Sequence, residues 1–146
     1  MQVFEKNILG CFVSLNPDVE EGDLFREYIW GDEGIADIIR VLKYERYGWD
    51  ITLILFKFYV HPIPYLLSHL KPIENYRKEE RSIGVAIVVD DQNFFSKPEI
   101  ERRQFVMDSI LSGLDLVKEA VRKKKLDTNV DLLKADVEEI FNRMKP

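Results

Sequence analysis

The sequence predicts an α+β fold, a two-layer domain in which an antiparallel sheet of three or four strands carries a long C-terminal pair of helices. Three observations lead there. Two apolar, β-branched runs, ITLILFKFYV at 51–60 and SIGVAIVV at 82–89, have the composition of strands. The longest helical periodicity follows them, with Ile100, Met107, Ile110, Leu111, Leu114, Val117 and Val121 recurring at threes and fours. A second stripe, Val130, Leu133, Val137, Ile140, Phe141 and Met144, runs through the last helix.

Residues 7–15 (NILGCFVSL) predict a first strand, with Leu9, Cys11, Val13 and Leu15 on one face and Ile8 and Phe12 on the other. Gly10 marks a bulge or a close approach. Asn16-Pro17 offers an N-cap and a first-turn proline, and a helix is predicted over 24–29. The spacing Ile35, Ile38, Ile39, Leu42 predicts an amphipathic helix, opened by Asp32 and Glu33 and closed by Lys43 and Arg46. Tyr47-Gly48-Trp49-Asp50 breaks it.

The strand at 51–60 is apolar on both faces except at Thr52 and Lys57 and takes the centre of the sheet. His61-Pro62-Ile63-Pro64 ends it, because proline cannot donate to a central ladder. Residues 65–70 suit either a helical turn or an edge strand, and the charged run 77–81 leads into the strand at 82–89. A hairpin or meander between these two strands makes the sheet antiparallel. The long helix spans 96–126, with Ser96 and Glu99 spaced as a capping box and Pro98 in the first turn. Thr128 is the expected cap of the last helix, at 128–144. On the long helix Phe105, Leu116 and Ala120 form a second stripe beside Ser109, Ser112 and Gly113. That stripe receives either the last helix or an intermolecular contact, a homodimer or a partner.

A chain of 146 residues suits one domain, 1–146, able to bury a core without disulfides or metal. No apolar run approaches the roughly 18–20 residues of a membrane span. The start MQVFEKNILG has no basic n-region, so the cytoplasm is the expected compartment. The single Cys11, among Leu9, Phe12 and Val13, reads as a structural thiol. A net charge of −5 argues against nucleic-acid binding, and the run Arg122-Lys123-Lys124-Lys125 complements a helix C-terminus.

Chemistry is sparse. His61 and His69 lack the companion ligands of a zinc site, and Asp90-Asp91 followed by Gln92-Asn93 reads as a strand-ending turn rather than a magnesium pair. No GxGxxG, Walker or GxSxG sequence occurs, and no serine carries a nucleophile signature. No catalytic residue, metal or cofactor is expected.

Charge is concentrated instead. Between positions 18 and 37 stand eight acids, Asp18, Glu20, Glu21, Asp23, Glu27, Asp32, Glu33 and Asp37, against Arg26, so eight minus one gives a local balance of −7. Phe25, Tyr28, Ile29 and Trp30 are interleaved with them. The segment is either a solvated helix whose aromatics turn inward or an acidic face with aromatic anchors for a basic protein.

With this acidic segment, the Tyr47-Gly48-Trp49-Asp50 corner and no catalytic set, the chain resembles the immunity proteins that bacteria make against the toxins of contact-dependent and other polymorphic systems. The resemblance implies a non-catalytic protein that binds one cognate toxin, a basic one suiting the acidic segment. Asp23, Glu27, Asp32 and Glu33 would then steer and hydrogen-bond it, and Tyr28 and Trp30 would anchor it. Two other readings compete. Phe56, Phe58, Tyr59, Phe94 and Phe95 could line an apolar ligand or enzyme pocket between sheet and long helix, and Phe105 with Leu116 could form a homodimer or adaptor surface.

Overall fold

A computed structural model describes residues 7–15, 35, 39, 41–61 and 76–144. Among them lie three strands, β1 (Leu9–Leu15), β2 (Leu53–His61) and β3 (Ser82–Asp90), followed by a short helix α1 (Asp91–Phe95). A long helix α2 (Glu99–Lys124) and a final helix α3 (Val130–Met144) complete the chain. β1, β2, β3, α2 and α3 fall where the apolar periods place them, with β2 central in the order β1-β2-β3, whereas α1 forms where Asp90-Asp91-Gln92-Asn93 reads in sequence as a strand-ending turn.

The direction of the sheet corrects the sequence expectation. Both pairs are parallel: Cys11 stands opposite Phe56, and Phe56 opposite Val85. The antiparallel hairpin between β2 and β3 therefore does not exist. A parallel pair needs a crossover of a dozen or more residues, and the segment 62–81 is long enough to supply one. The sequence carried the sign of this arrangement, since strands apolar on both faces are typical of parallel sheets buried by helices.

One face of the sheet is closed by α2. Ile54, Phe56 and Phe58 on β2, with Ile83 and Val85 on β3, are excluded from water together with Val106, Met107, Ile110, Leu114 and Val117 of α2. Gly113 lies at the closest approach. A β-carbon there would stand 2.8 Å from the Phe56 ring and 2.9 Å from a Val85 methyl, so the glycine lets the helix settle onto the sheet. It belongs to the sheet-facing side of α2, not to the stripe with Phe105 and Leu116. α3 packs along α2 by its predicted stripe, burying Val130, Leu133, Val137 and Phe141, and the ion pairs Lys134–Asp115 and Lys118–Asp131 span the two helices.

Several local expectations change. β1 pairs continuously through Gly10, without a bulge; its β-carbon position faces Leu53 and Leu55 side chains at 3.2 and 3.4 Å. Ile35 and Ile39 are helical and fully buried, but the backbone leaves the helix before Leu42, and Tyr44–Arg46 form a separate 3-10 turn. Ser96 does not cap α2: its hydroxyl donates to the Asn93 carbonyl, while Pro98 precedes the first helical residue. Asn129, not Thr128, caps α3, its side-chain oxygen accepting the Leu132 amide at 3.0 Å. At the other end of α2, Lys125 takes a left-handed conformation (φ 57°), and the Leu126 amide reaches back to the Val121 carbonyl in the Schellman pattern. The predictions at 24–29 and 65–70 lie outside the described residues.

Candidate functional site: the Trp49 corner

Asp23, Glu27, Tyr28, Trp30, Asp32 and Glu33 lie outside the described residues, so the structure neither assembles them nor separates them. Phe56, Phe58 and Phe94 are buried in the core, and Phe95 packs edge-on against Phe94. The second stripe of α2 is divided: Phe105 turns onto the Phe94 ring, 5.6 Å between centroids, with the Lys97 ammonium over it at 5.3 Å. Leu116 remains 41% exposed, so self-association through this stripe would rest on Leu116. Cys11 is crowded by protein although part of it reaches the surface, and burial pushes its thiol up to about 12. It stays protonated at neutral pH, in keeping with a structural thiol.

The described residues do assemble one polar and aromatic constellation, around Tyr47-Gly48-Trp49-Asp50. Sequence reasoning sees this tetrapeptide only as a helix breaker and an aromatic corner. The fold makes it the junction of three segments at the amino-terminal edge of the sheet, where β2 and β3 begin and the α2–α3 connection passes. Asp127, in that connection, is the central clamp. Its carboxylate accepts the Trp49 amide at 3.0 Å and the Asp50 amide at 2.7 Å, and the Asp50 carboxylate accepts the Asp127 amide at 2.8 Å. The Asn129 amide donates to the Tyr47 carbonyl at 2.7 Å. From the turn before β3, Tyr76 donates its hydroxyl to the Asp50 carbonyl at 2.6 Å and Arg81 donates to the Trp49 carbonyl at 3.1 Å. Gly48, at φ 145°, lets the chain run under Asp127. Asp127 carries no motif in the sequence; only the Gly between two aromatic residues marks a special backbone.

Below the corner Asp136 of α3 accepts from the Arg46 guanidinium at 2.8 Å and the Tyr47 hydroxyl at 2.7 Å. The Arg46 hydrogen bond, with that of Tyr47, holds the Asp136 carboxyl below its ordinary range against the opposing effect of burial. Burial, then the bond to Asp136, pushes the Tyr47 phenol above its own. A carboxylate more acidic in the folded than in the unfolded chain stabilises above its unfolded pKa, and loses that contribution as pH falls through the folded value. Asp136→Ala leaves the partly buried Tyr47 hydroxyl without an acceptor and is expected to cost about 1 kcal/mol. Chemical denaturation of Asp136→Asn across pH should show its largest deficit near neutrality, shrinking to nothing in acid. A deficit independent of pH would show that the ionised carboxylate does not stabilise the fold.

Trp49 itself is 57% exposed, its ring edge-on to Tyr44 with centroids 5.8 Å apart. The corner thus presents a large aromatic side chain on a backbone whose amide and carbonyl are both engaged. Asp50, Asp127 and Asp136 accept hydrogen bonds within the fold, and Trp49 is the large side chain that the corner leaves exposed. Among the described residues no His, Cys, Asp and Glu side chains gather in a set that could hold a metal ion, and no helix is long and apolar enough to cross a membrane. Comparison with curated proteins and with solved structures gives no match. Residues 9–143 match the family described as Immunity protein 44, an extent that runs from the start of β1 to the last turn of α3, and the chain therefore belongs to that family of immunity proteins.

Proposed function

We propose that this chain is a non-catalytic inhibitor that binds one cognate bacterial toxin directly, in the cytoplasm, and blocks its active site or an adjoining surface. The family match over residues 9–143 carries this reading. It is supported by the described site, whose carboxylates are engaged in hydrogen bonds within the fold. The acidic segment at 18–37 suits a basic toxin: Asp23, Glu27, Asp32 and Glu33 provide long-range attraction and charge-assisted hydrogen bonds, and Tyr28 and Trp30 provide apolar anchorage.

Co-expression with the toxin domain encoded beside it should relieve that domain's growth defect and yield a stable complex. Paired reversals such as Glu27→Lys with Asp32→Lys should slow association about tenfold or more at low salt and flatten its dependence on ionic strength. Unchanged affinity at low salt would remove the acidic segment from the binding surface. Failure of the unaltered chain to bind or to protect would remove the inhibitor reading as a whole.

A further inference from the structure

β3 is an outer strand of the sheet among the described residues, and its burial does not alternate as that of β2 does. Phe56 and Phe58 of β2 are buried and Lys57 between them is partly exposed, as befits side chains on opposite faces. Ala86, Ile87 and Val88 of β3 are all partly exposed, on both faces alike, which marks an edge that water reaches. Its backbone points outward at defined positions. The Arg81 carbonyl accepts from Thr52 and Leu53 on the β2 side, whereas the Ser82 amide and carbonyl both bond Arg77 on the other. By alternation the amides and carbonyls of Gly84, Ala86 and Val88 point away from β2, where no bond to them forms among the described residues. Nor does the strand carry a proline, a lysine or a bulge that would guard its edge against another strand.

α2 runs over the gap between β2 and β3, since a β-carbon at Gly113 would meet Phe56 and Val85 alike. α3 takes the flank of α2 that carries Asp115 and Lys118, and Asp136 ties it to Arg46 and Tyr47, close to the Lys43–Asn7 bond at the foot of β1. The opposite flank, with Phe105, Ser109 and Leu116, therefore looks past β3, and Leu116 is its exposed apolar residue. We propose that the β3 edge and this flank of α2 are one self-pairing surface, on which a second copy of the chain lays its own β3 antiparallel and continues the sheet. The geometry suits a two-fold axis. Centred on Ala86, the pairing sets Gly84 opposite Val88 and Asp90 opposite Ser82, so the two Asp90 carboxylates stand at opposite ends. Paired strands lie about 4.8 Å apart, which puts the two α2 helices roughly two strand spacings, about 10 Å, from one another, the distance of packed helices. Ser109 and Ser112 leave room there for Leu116 of the second copy, and the Ser109 hydroxyl already donates to the Phe105 carbonyl. A second copy thus satisfies the outward backbone groups and covers Leu116 together, whereas an unrelated strand would meet only the first need. The inference does not depend on the toxin-binding reading.

The test uses the full chain, with mass measured by light scattering across a dilution series and folding by thermal melting. The parent is expected to reach twice the 17.2 kDa of one chain at the upper concentrations. Ser112→Lys with Leu116→Lys brings like charges together across the axis and should weaken association about tenfold or more, most at low salt. Ala86→Pro removes an outward amide at the centre of the pairing, a change that an edge strand tolerates, and should abolish the dimer. Both variants should melt within a few degrees of the parent, and the lysine pair, at exposed positions, decides the matter if the proline variant fails to fold. A parent of 17.2 kDa throughout overturns the proposal, as does a dimer that the lysine pair leaves unweakened. A monomeric parent whose Ala86→Pro variant no longer binds the toxin domain would overturn it in favour of a strand of that protein on the same edge.

Discussion

Gly48→Ala is expected to destabilise the protein by about 3 kcal/mol or more, the sum of a backbone conformation that residues with a β-carbon rarely adopt and of overpacking against fixed neighbours. At φ 145° a new β-carbon would lie 2.8 Å from the Asp127 carboxylate, 3.0 Å from the Asp127 carbonyl and 3.0 Å from Thr128 Cα. Two of those three atoms are backbone, held by the Asp127 amide bond to Asp50 and the Asn129 amide bond to Tyr47, so relief requires breaking the clamp. Gly10→Ala is the control. Its β-carbon would meet only the tips of Leu53 and Leu55 at 3.2 and 3.4 Å, which can shift, and the cost should stay below about 1 kcal/mol. Equal losses for the two variants in urea denaturation would mean that Gly48 is not held by the α2–α3 connection.

Gly113→Val is expected to cost about 3 kcal/mol, and Gly113→Ala about 1–2 kcal/mol, although alanine is favoured over glycine within a helix by about 1 kcal/mol. Helix propensity and packing therefore predict opposite signs for the alanine variant. Packing prevails because the β-carbon would enter between Phe56 and Val85, both excluded from water, at 2.8 and 2.9 Å. Combining Gly113→Ala with Val85→Ala should recover part of the loss, a coupling on the order of 1 kcal/mol between touching groups. A stabilised single variant, or additive losses in the pair, would show that α2 does not lie this close to the sheet.

These glycines separate what is written locally from what is not. β2, β3, α2 and α3 were legible because residues close in sequence establish them: apolar positions at intervals of two or of three and four continue over several turns. Gly113 looks in sequence like a small residue beside the Phe105 stripe, and only the rotation of α2 on the sheet shows that it faces Phe56. Direction was misread for a similar reason. β2 and β3 are successive strands, and the hairpin is the simplest join, yet the both-face apolarity of 51–60 and the length of 62–81 were compatible with a crossover that period alone does not reveal. Charge location was legible as composition in the acidic segment, whereas the engagement of Asp50, Asp127 and Asp136 emerges only in the fold.

By itself the sequence determined the type and order of β1, β2, β3, α2 and α3, the central place of β2, and a resemblance to immunity proteins that the family match upholds. The tertiary structure alone decided that the strands run parallel, that Gly113 is the point of closest helix–sheet approach, and that Asp127 grips Trp49 from 78 positions away. The physical reason is range. Helical and strand periods and cap chemistry act over a few neighbouring residues, while strand direction, packing depth and the occupancy of a carboxylate depend on which distant segments the folded chain brings together.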